Sequence, residues 1–375
     1  MKRYTLSFFL FLTLLFIYAL FSLFRSLEIP FSVSPPALVP DATGGRLLSG
    51  FLPEMPTDMV HAVSAVALGN DLLAFWYGGS REATHDVTIY SCRYTEETHS
   101  WGRPQILLTP AEASRGTGRY IHILGNPAAI LTGEGTLALF FVSVSGGGWS
   151  ASAVNVMLSK DEGTTWTRPQ QVVSSPFWNI STLVKTPPFE LEGGKVAVPV
   201  YHEFMRHYGE LLIFDRDWEL SGLQKLSRGV DVIQPQVFLK SSRESRVYFR
   251  TMDRNFRQIL QTSSSDRGKT WSPLAPTGLS NPSAAVAGLV VNNDRWLLIY
   301  NHSQVDRQRL DLAVSDDFGE TWSRPFTLET AKRGAVSYPW ILSTGNGKIH
   351  LFYTWNRKNF RHLQFDVNWV QGVIP

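Results

Sequence analysis

Three copies of one eight-residue pattern, Ser-x-Asp-x-Gly-x-Thr-Trp, constrain this chain more than any other feature. They occupy Ser159 to Trp166, Ser264 to Trp271 and Ser315 to Trp322. Each follows a short alternating apolar run and precedes Thr-Arg-Pro, Ser-Pro or Ser-Arg-Pro, so each sits where one strand ends and the next begins. In such a hairpin the Asp can accept backbone N–H bonds, the Gly supplies a left-handed position, and the Trp ring covers one side. The closing residues Trp166, Trp271 and Trp322 fit a unit of about fifty residues if one intervening copy has decayed. A period of that size means a solenoid or a propeller.

Runs of β-branched and aromatic residues alternate with Gly, Pro, Asn and Ser clusters after residue 50, and no window of helical period lasts. The chain therefore reads as all-β. Six units can be counted, at about 59–104, 120–173, 181–227, 231–275, 283–328 and 334–369. The first has lost its box but keeps the ending Trp101-Gly-Arg-Pro104, and the third has a lost box around Phe214-Asp215. Six four-stranded units closing into a ring predict a six-bladed β-propeller over residues 51–375. Inner strands of all blades would then present side chains from distant positions to one central pocket.

Ahead of the repeats, Tyr4 to Phe24 carry no charge. At 1.5 Å per residue they would extend roughly 31 Å as a helix, enough to cross a bilayer core. Lys2 and Arg3 precede this run, so the positive-inside rule predicts a single-pass anchor over 1–25. The N-terminus would be cytoplasmic and the propeller would lie on the periplasmic or other extracytoplasmic side. Residues 26–50, with Pro30, Pro35, Pro36, Pro40, Gly44 and Gly45, read as a stalk. The net charge of +3 is matched by Lys2, Arg3 and Arg25 alone, which leaves the exported part neutral and speaks against nucleic acid as a partner. Cys92 is the single cysteine, so no intramolecular disulfide can form. No His/Cys spacing suits zinc and no Walker-type Gly-Lys-Ser/Thr is present, so no metal or cofactor is expected.

The box pattern resembles the Asp-box, or BNR repeat, of the sialidase superfamily, and the chain is similar to bacterial sialidase-like BNR proteins over about residues 58–366. FWYGGSREATHDVTIY (75–90), VIQPQVFL (232–239), NPSAAVAGLVVNNDRWLLIYNH (281–302) and SYPWILSTGNGKIHLFYTWNR (337–357) carry the resemblance beyond the boxes. It implies action on a ketosidic acid, whose anomeric carbon bears a carboxylate gripped by inward arginines. Arg250, with Arg257 close behind, falls where the family places one such arginine, and Arg309 resembles another. A carboxylate nucleophile would be repelled by the substrate, so the family uses a tyrosine, which Tyr338 matches. The acid/base position offers Glu82 or Asp86.

Two positions depart from the family pattern. His61 stands where the first arginine is expected, and Gln234 where a glutamate would activate the tyrosine. His61, if protonated, could still hold an anion or act as acid/base, and Glu203 could supply the missing carboxylate. These departures leave the sugar open between sialic acid and another 3-deoxy-2-ulosonic acid such as Kdo, beside whose lipids an inner-membrane anchor would place the enzyme. They also leave three functions in view: an exo-glycosidase, a tethered propeller that binds glycans without cleaving them, and one subunit of a glycosidase complex whose partner supplies missing groups.

Overall fold

In a computed structural model of the chain, the described residues are 45–374 except 176–178, 180, 254, 293 and 294, together with residues 13, 28, 29, 31 and 32. The three boxes form the turns from the third strand to the fourth of their sheets. In each, the Ser hydroxyl accepts the Gly N–H at 2.8, 2.9 and 2.8 Å, and the Asp carboxylate accepts the Thr N–H at 2.8, 3.0 and 2.9 Å. Bonds from Thr165 and Ser159 hold the Asp161 carboxyl at about 2, so this latch stays ionised at ordinary pH. Gly163, Gly268 and Gly319 all adopt positive φ, the conformation that no side chain accepts as readily. The lost box of the third unit keeps its acid: the Asp215 carboxylate accepts the N–H groups of Asp217 and Glu219.

Six antiparallel sheets follow in chain order and form a six-bladed β-propeller. Blade 1 comprises Met59–Leu68, Asp71–Gly79, Thr88–Thr95 and the short outer pieces Ser100–Trp101 and Gln105–Leu108. Blade 2 is built from Ile123–Leu131, Leu137–Val144, Ser152–Ser159 and Gln170–Gln171. Blade 3 pairs both Leu183–Val184 and Phe189–Leu191 with Lys195–His202, then adds Tyr208–Phe214 and Leu220–Lys225. Blade 4 holds Val232–Leu239, Ser245–Thr251, Gln258–Ser264 and Ala275–Ser280, and blade 5 holds Ala287–Val290, Trp296–Tyr300, Arg309–Ser315 and Phe326–Thr330. Second strands such as Leu137–Val144 and Trp296–Tyr300 are buried along their whole length, because neighbouring blades cover both of their faces.

Blade 6 is not continuous in sequence. Val336–Ser343, Ile349–Trp355 and Asn359–Phe365 supply three strands, and Leu48–Phe51 supplies the outermost, with Leu48 opposite Gln364 and Phe51 opposite Arg361. The ring is thus fastened by its two ends. Trp340 Nε1 donates to the Ala65 carbonyl at 2.9 Å, tying the inner strand of blade 6 to that of blade 1.

The expected stalk is also not wholly free of the domain. Ile29 and Phe31 are completely buried: the Ile29 N–H donates to the Arg267 carbonyl in the blade 4 box, and Phe31 forms a β-bridge with Leu191 of blade 3. Proline-rich composition argued for a spacer, but two bulky apolar residues two apart can still lie down as extended chain in a gap between blades. Apart from Thr13, the apolar run at 4–24 lies outside the described residues. Among those described, no helix is long and apolar enough to cross a membrane. Two short helices were not expected. One spans Pro110–Thr117 and is started by a capping box between Thr109 and Glu112; the other, Val367–Val373, is capped by Asp366.

Between blades 6 and 1, His350 Nδ1 and His362 Nε2 meet at 2.9 Å, with Thr344 on His350 and the Tyr94 ring against His362. Burial, then the nearby His99 and Lys348, pushes His350 down to about 3, and burial carries His362 well below the usual value. Unfolded histidine titrates near 6.5, so between that pH and about 3 the unfolded chain binds the extra protons. Folding stability should therefore fall as pH drops below 6.5, by roughly 1.4 kcal/mol per pH unit for each such histidine. Urea midpoints measured from pH 7 to pH 4.5 should decline steeply in the native protein and less in His350→Phe/His362→Phe. Equal slopes would show that this pair does not govern acid stability.

Candidate active site

Every blade carries one left-handed residue in, or just ahead of, its inner strand. Ala62, Asn126, Ser181, Gln234, Ser283 and Tyr338, one per blade, all have φ between 35° and 61°. In blades 1, 2, 4 and 6 the ladder changes register there, between His61 and Ser64, Gly125 and Ala128, Ile233 and Gln236, and Ser337 and Trp340. Proline follows in blades 2, 4 and 6, as Pro127, Pro235 and Pro339, and removes the N–H that would continue the ladder. A bulge of this kind re-aims a side chain, and a non-glycine residue at positive φ costs of order 1–3 kcal/mol. Second strands end on this same face, which carries the loops into the third strands. The boxes lie on the opposite face.

Tyr338 stands among donors. Gln234 Nε2 donates to its hydroxyl oxygen at 3.2 Å and Arg250 Nη1 at 3.4 Å. Arg250, one residue from the end of its strand, also reaches Gln234 Oε1 at 3.5 Å and Ser283 Oγ at 3.1 Å. Arg307, in the loop before Arg309–Ser315, donates to the Ser283 carbonyl, so one left-handed serine holds two guanidiniums. Burial and the neighbouring Arg250 charge pull Arg307 below its ordinary range, with Tyr338, Arg357 and Glu82 also within electrostatic reach. From the other side Arg357, itself left-handed at φ 55°, forms an ion pair with Glu82, which accepts the Tyr77 hydroxyl at 3.2 Å.

His61 packs its ring on that of Tyr338, with centroids 4.1 Å apart, and its Nδ1 meets Thr354 Oγ1 at 3.0 Å. Burial first, then Arg357, Arg307, Lys185 and Arg250, drives its pKa well below the usual imidazole value. The ring is neutral near pH 7, and its buried Nε2 has no hydrogen-bond partner among the described residues. The cationic form that the sequence allowed for His61 is thus disfavoured here, and the nearest fixed charge on that side is Arg357 of blade 6. Lys185 of blade 3 is also buried, and its Nζ donates to the Pro339 carbonyl at 2.6 Å and lies 5.7 Å over the Tyr338 ring. Burial pushes this amine down to about 7.

Glu203 lies at the end of the second strand of blade 3, its N–H donating to Ser181 Oγ at 2.6 Å. Burial raises its carboxyl against the pull of Arg250 and His207. Tyr201, buried beside it, accepts Asn126 Nδ2 at 3.3 Å, and burial, Tyr338 and Glu203 push its phenol well up. Tyr338, Gln234, Arg250, His61, Glu82 and Glu203 are thus brought to one end of the ring. Three residues singled out from sequence have other engagements. Asp86 closes its own loop on Ser80 and Thr84, which hold its carboxyl at about 2. Arg309 Nε donates to buried Asp311 at 2.6 Å, and Arg257 is exposed. Sequence reading missed Arg307, Arg357, Lys185, Tyr201 and Tyr77. Asn126-Pro127, Gln234-Pro235 and Tyr338-Pro339, recurring near the start of alternate units, were the signal that could have found the axis. Among the described residues no group of three His, Cys, Asp or Glu side chains could hold a metal ion.

None of the curated proteins compared matches the chain. Among solved structures, a Hadza microbial sialidase superposes with a TM-score of 0.70 at 16% identity, over 83% of this chain and 66% of that one. The chain thus spans just under two thirds of that sialidase. A protein of unknown function from Dyadobacter fermentans gives 0.71 at 14% identity, over 86% and 99%. The intramolecular trans-sialidase from Ruminococcus gnavus, solved with oseltamivir carboxylate, gives 0.68 at 13% identity, over 85% and 97%. At these identities the likeness shows a shared fold. The model of the BNR repeat-like domain matches residues 70–351, and with its three boxes and six blades the chain belongs to that family of sialidase-like BNR-repeat proteins.

Proposed function

We propose that the protein is a sialidase-like exo-glycosidase that releases a terminal 2-ulosonic acid, sialic acid or a Kdo-like sugar, from a cell-envelope or extracellular glycoconjugate. One observation carries this reading: the Tyr338 hydroxyl oxygen accepts from Gln234 and Arg250, and Arg307 lies within electrostatic reach of that phenol, of Arg250 and of Arg357. A sugar carboxylate placed among guanidiniums is held by charge-assisted bonds, which brings the anomeric carbon to the phenol oxygen. Donors fixed around that oxygen favour negative charge as the proton leaves. Gln234 has no site to receive the proton; Glu203, beyond Tyr201, is the carboxylate that takes it. Tyr338 then attacks the anomeric carbon while Glu82, protonated once Arg357 turns from it to the sugar carboxylate, gives its proton to the departing glycosidic oxygen; Glu82 later takes a proton from the water that attacks the same carbon, and Glu203 returns its proton to the departing Tyr338 oxygen.

Gln234 also favours a second reading, a glycan-binding propeller or one subunit of a glycosidase complex, because an amide at this place cannot act as a base. For location, the reading is a single-pass anchor at 4–24, with the N-terminus cytoplasmic and the propeller on the periplasmic or other extracytoplasmic side.

Detergent-solubilised full-length protein should release phenol from an aryl ketoside of sialic acid or of Kdo. Tyr338→Phe should abolish release. Arg250→Ala, Arg307→Ala and Arg357→Ala should each lower kcat/KM by about 10- to 100-fold, the worth of one charged hydrogen bond, whereas Arg309→Ala and Asp86→Asn should stay within about twofold. Binding of both sugars without release, lost in Arg250→Ala and unchanged in Tyr338→Phe, would select the second reading.

The buried amine predicts a pH signature. Lys185 is charged below about 7 and neutral above, so affinity for the acidic sugar should fall as pH rises through about 7. Titration calorimetry on Lys185→Met should show weaker binding at pH 6 and a flatter profile. An unchanged profile would remove Lys185 from the anion site.

A further inference from the structure

The buried clip at Ile29 and Phe31 fixes which way the ring faces. Glu28 pairs with Lys269 of the blade 4 box, and the next N–H, that of Ile29, bonds the Arg267 carbonyl at 2.7 Å. The Ile29 side chain lies against Gly268, where a Cβ would come within 3.1 Å of it. Phe31 bridges Leu191 at the turn that begins the second strand of blade 3 and packs near Phe189. Around them, Ala197, Leu211, Val247 and Leu260 complete one apolar cluster. The contacts of Glu28, Ile29 and Phe31 with Lys269, Arg267, Gly268 and Leu191 lie on the box face. Gly45 returns to the same face against the backbone of Trp369 before Leu48–Phe51 enters blade 6.

The uncharged run ends at Phe24, four residues before Glu28. Four residues reach no more than about 14 Å even when fully extended. We infer that the box face is the membrane-facing side of the propeller, seated close to the bilayer surface by this clip, with the candidate active site directed away from the lipid. The inference rests on the reading of residues 4–24 as a membrane span. Inner strands of up to ten residues, at about 3.3 Å each, put the site roughly 30 Å above the box face. The mouth then stands about 30–45 Å from the bilayer. A sugar on a lipid of the same leaflet lies behind the enzyme, and the substrate class narrows to acidic glycans presented from across the extracytoplasmic space or free within it.

Cys92 is buried, so single cysteines introduced elsewhere can be labelled with little background. Full-length protein is reconstituted in phosphatidylcholine vesicles containing rhodamine-labelled lipid. A donor dye is then placed at Lys160→Cys or Arg324→Cys on the box face, and at Met205→Cys or Val305→Cys in exposed loops of the site face. Strong energy transfer from the first two and at least fivefold less from the second two is the expected result. Ile29→Asp/Phe31→Asp should bring the two faces to similar values while the protein stays with carbonate-washed vesicles. Equal or reversed transfer in native protein that resists carbonate overturns the orientation and leaves the span intact. Release of native protein by carbonate overturns the span, and the orientation with it. Retention of the face difference in the double variant overturns the clip as its cause.

Discussion

The architecture depends on a backbone conformation that side chains resist. One left-handed residue near the mouth of each inner strand, six in all, stops the ladder and turns a side chain toward the axis. Without that break, the two-residue period of a strand would leave these groups packed between blades. With it, a serine, an amide and a phenol from blades 5, 4 and 6 meet one arginine. Strain at these places persists because the surrounding sheets over-determine it: in blades 1, 2, 4 and 6 the kink leads into a strand most of whose remaining residues are buried.

The electrostatics of the mouth follow from that convergence. Three guanidiniums and one buried amine face two carboxylates, Glu82 and Glu203, and the first of these is already paired with Arg357. The surplus is positive, and it adds to burial, the larger cause, in keeping the imidazole of His61 neutral against the Tyr338 ring. Blade 1 presents a neutral ring here, and the hairpin of blade 6 presents the Arg357 guanidinium.

The ring was legible because its signals are local. A Ser, an Asp and a Gly at fixed spacing make the same latch wherever they occur, and Asp215 kept its capping role after the rest of its box was lost. The number of blades and the position of each unit follow from these marks. Tyr338, Gln234 and Arg250 were legible through the family pattern and their place near strand ends. Arg357 was not, since Asn-Arg-Lys-Asn between two strands looks like an ordinary solvated turn. Arg307 and Arg309 are two residues apart, and only the three-dimensional course of the loop decides that one reaches Ser283 while the other is taken by Asp311. Burial at Ile29 and Phe31 was equally invisible, because the gap that receives them is formed by blades some 160 to 240 residues further along.

Because the last blade borrows its outer strand from residues 48–51, the ring stays open until the final third of blade 6 has left the ribosome. Everything that spans that junction waits with it: the Arg357–Glu82 pair, the Thr354–His61 contact and the Trp340–Ala65 bond. A chain that has folded only through blade 5 carries five finished sheets and an open ring. The mouth of the ring is therefore assembled only after residues 336–365 are in place, and a protease that trims the strand Asn359–Phe365 would open it without entering the pocket.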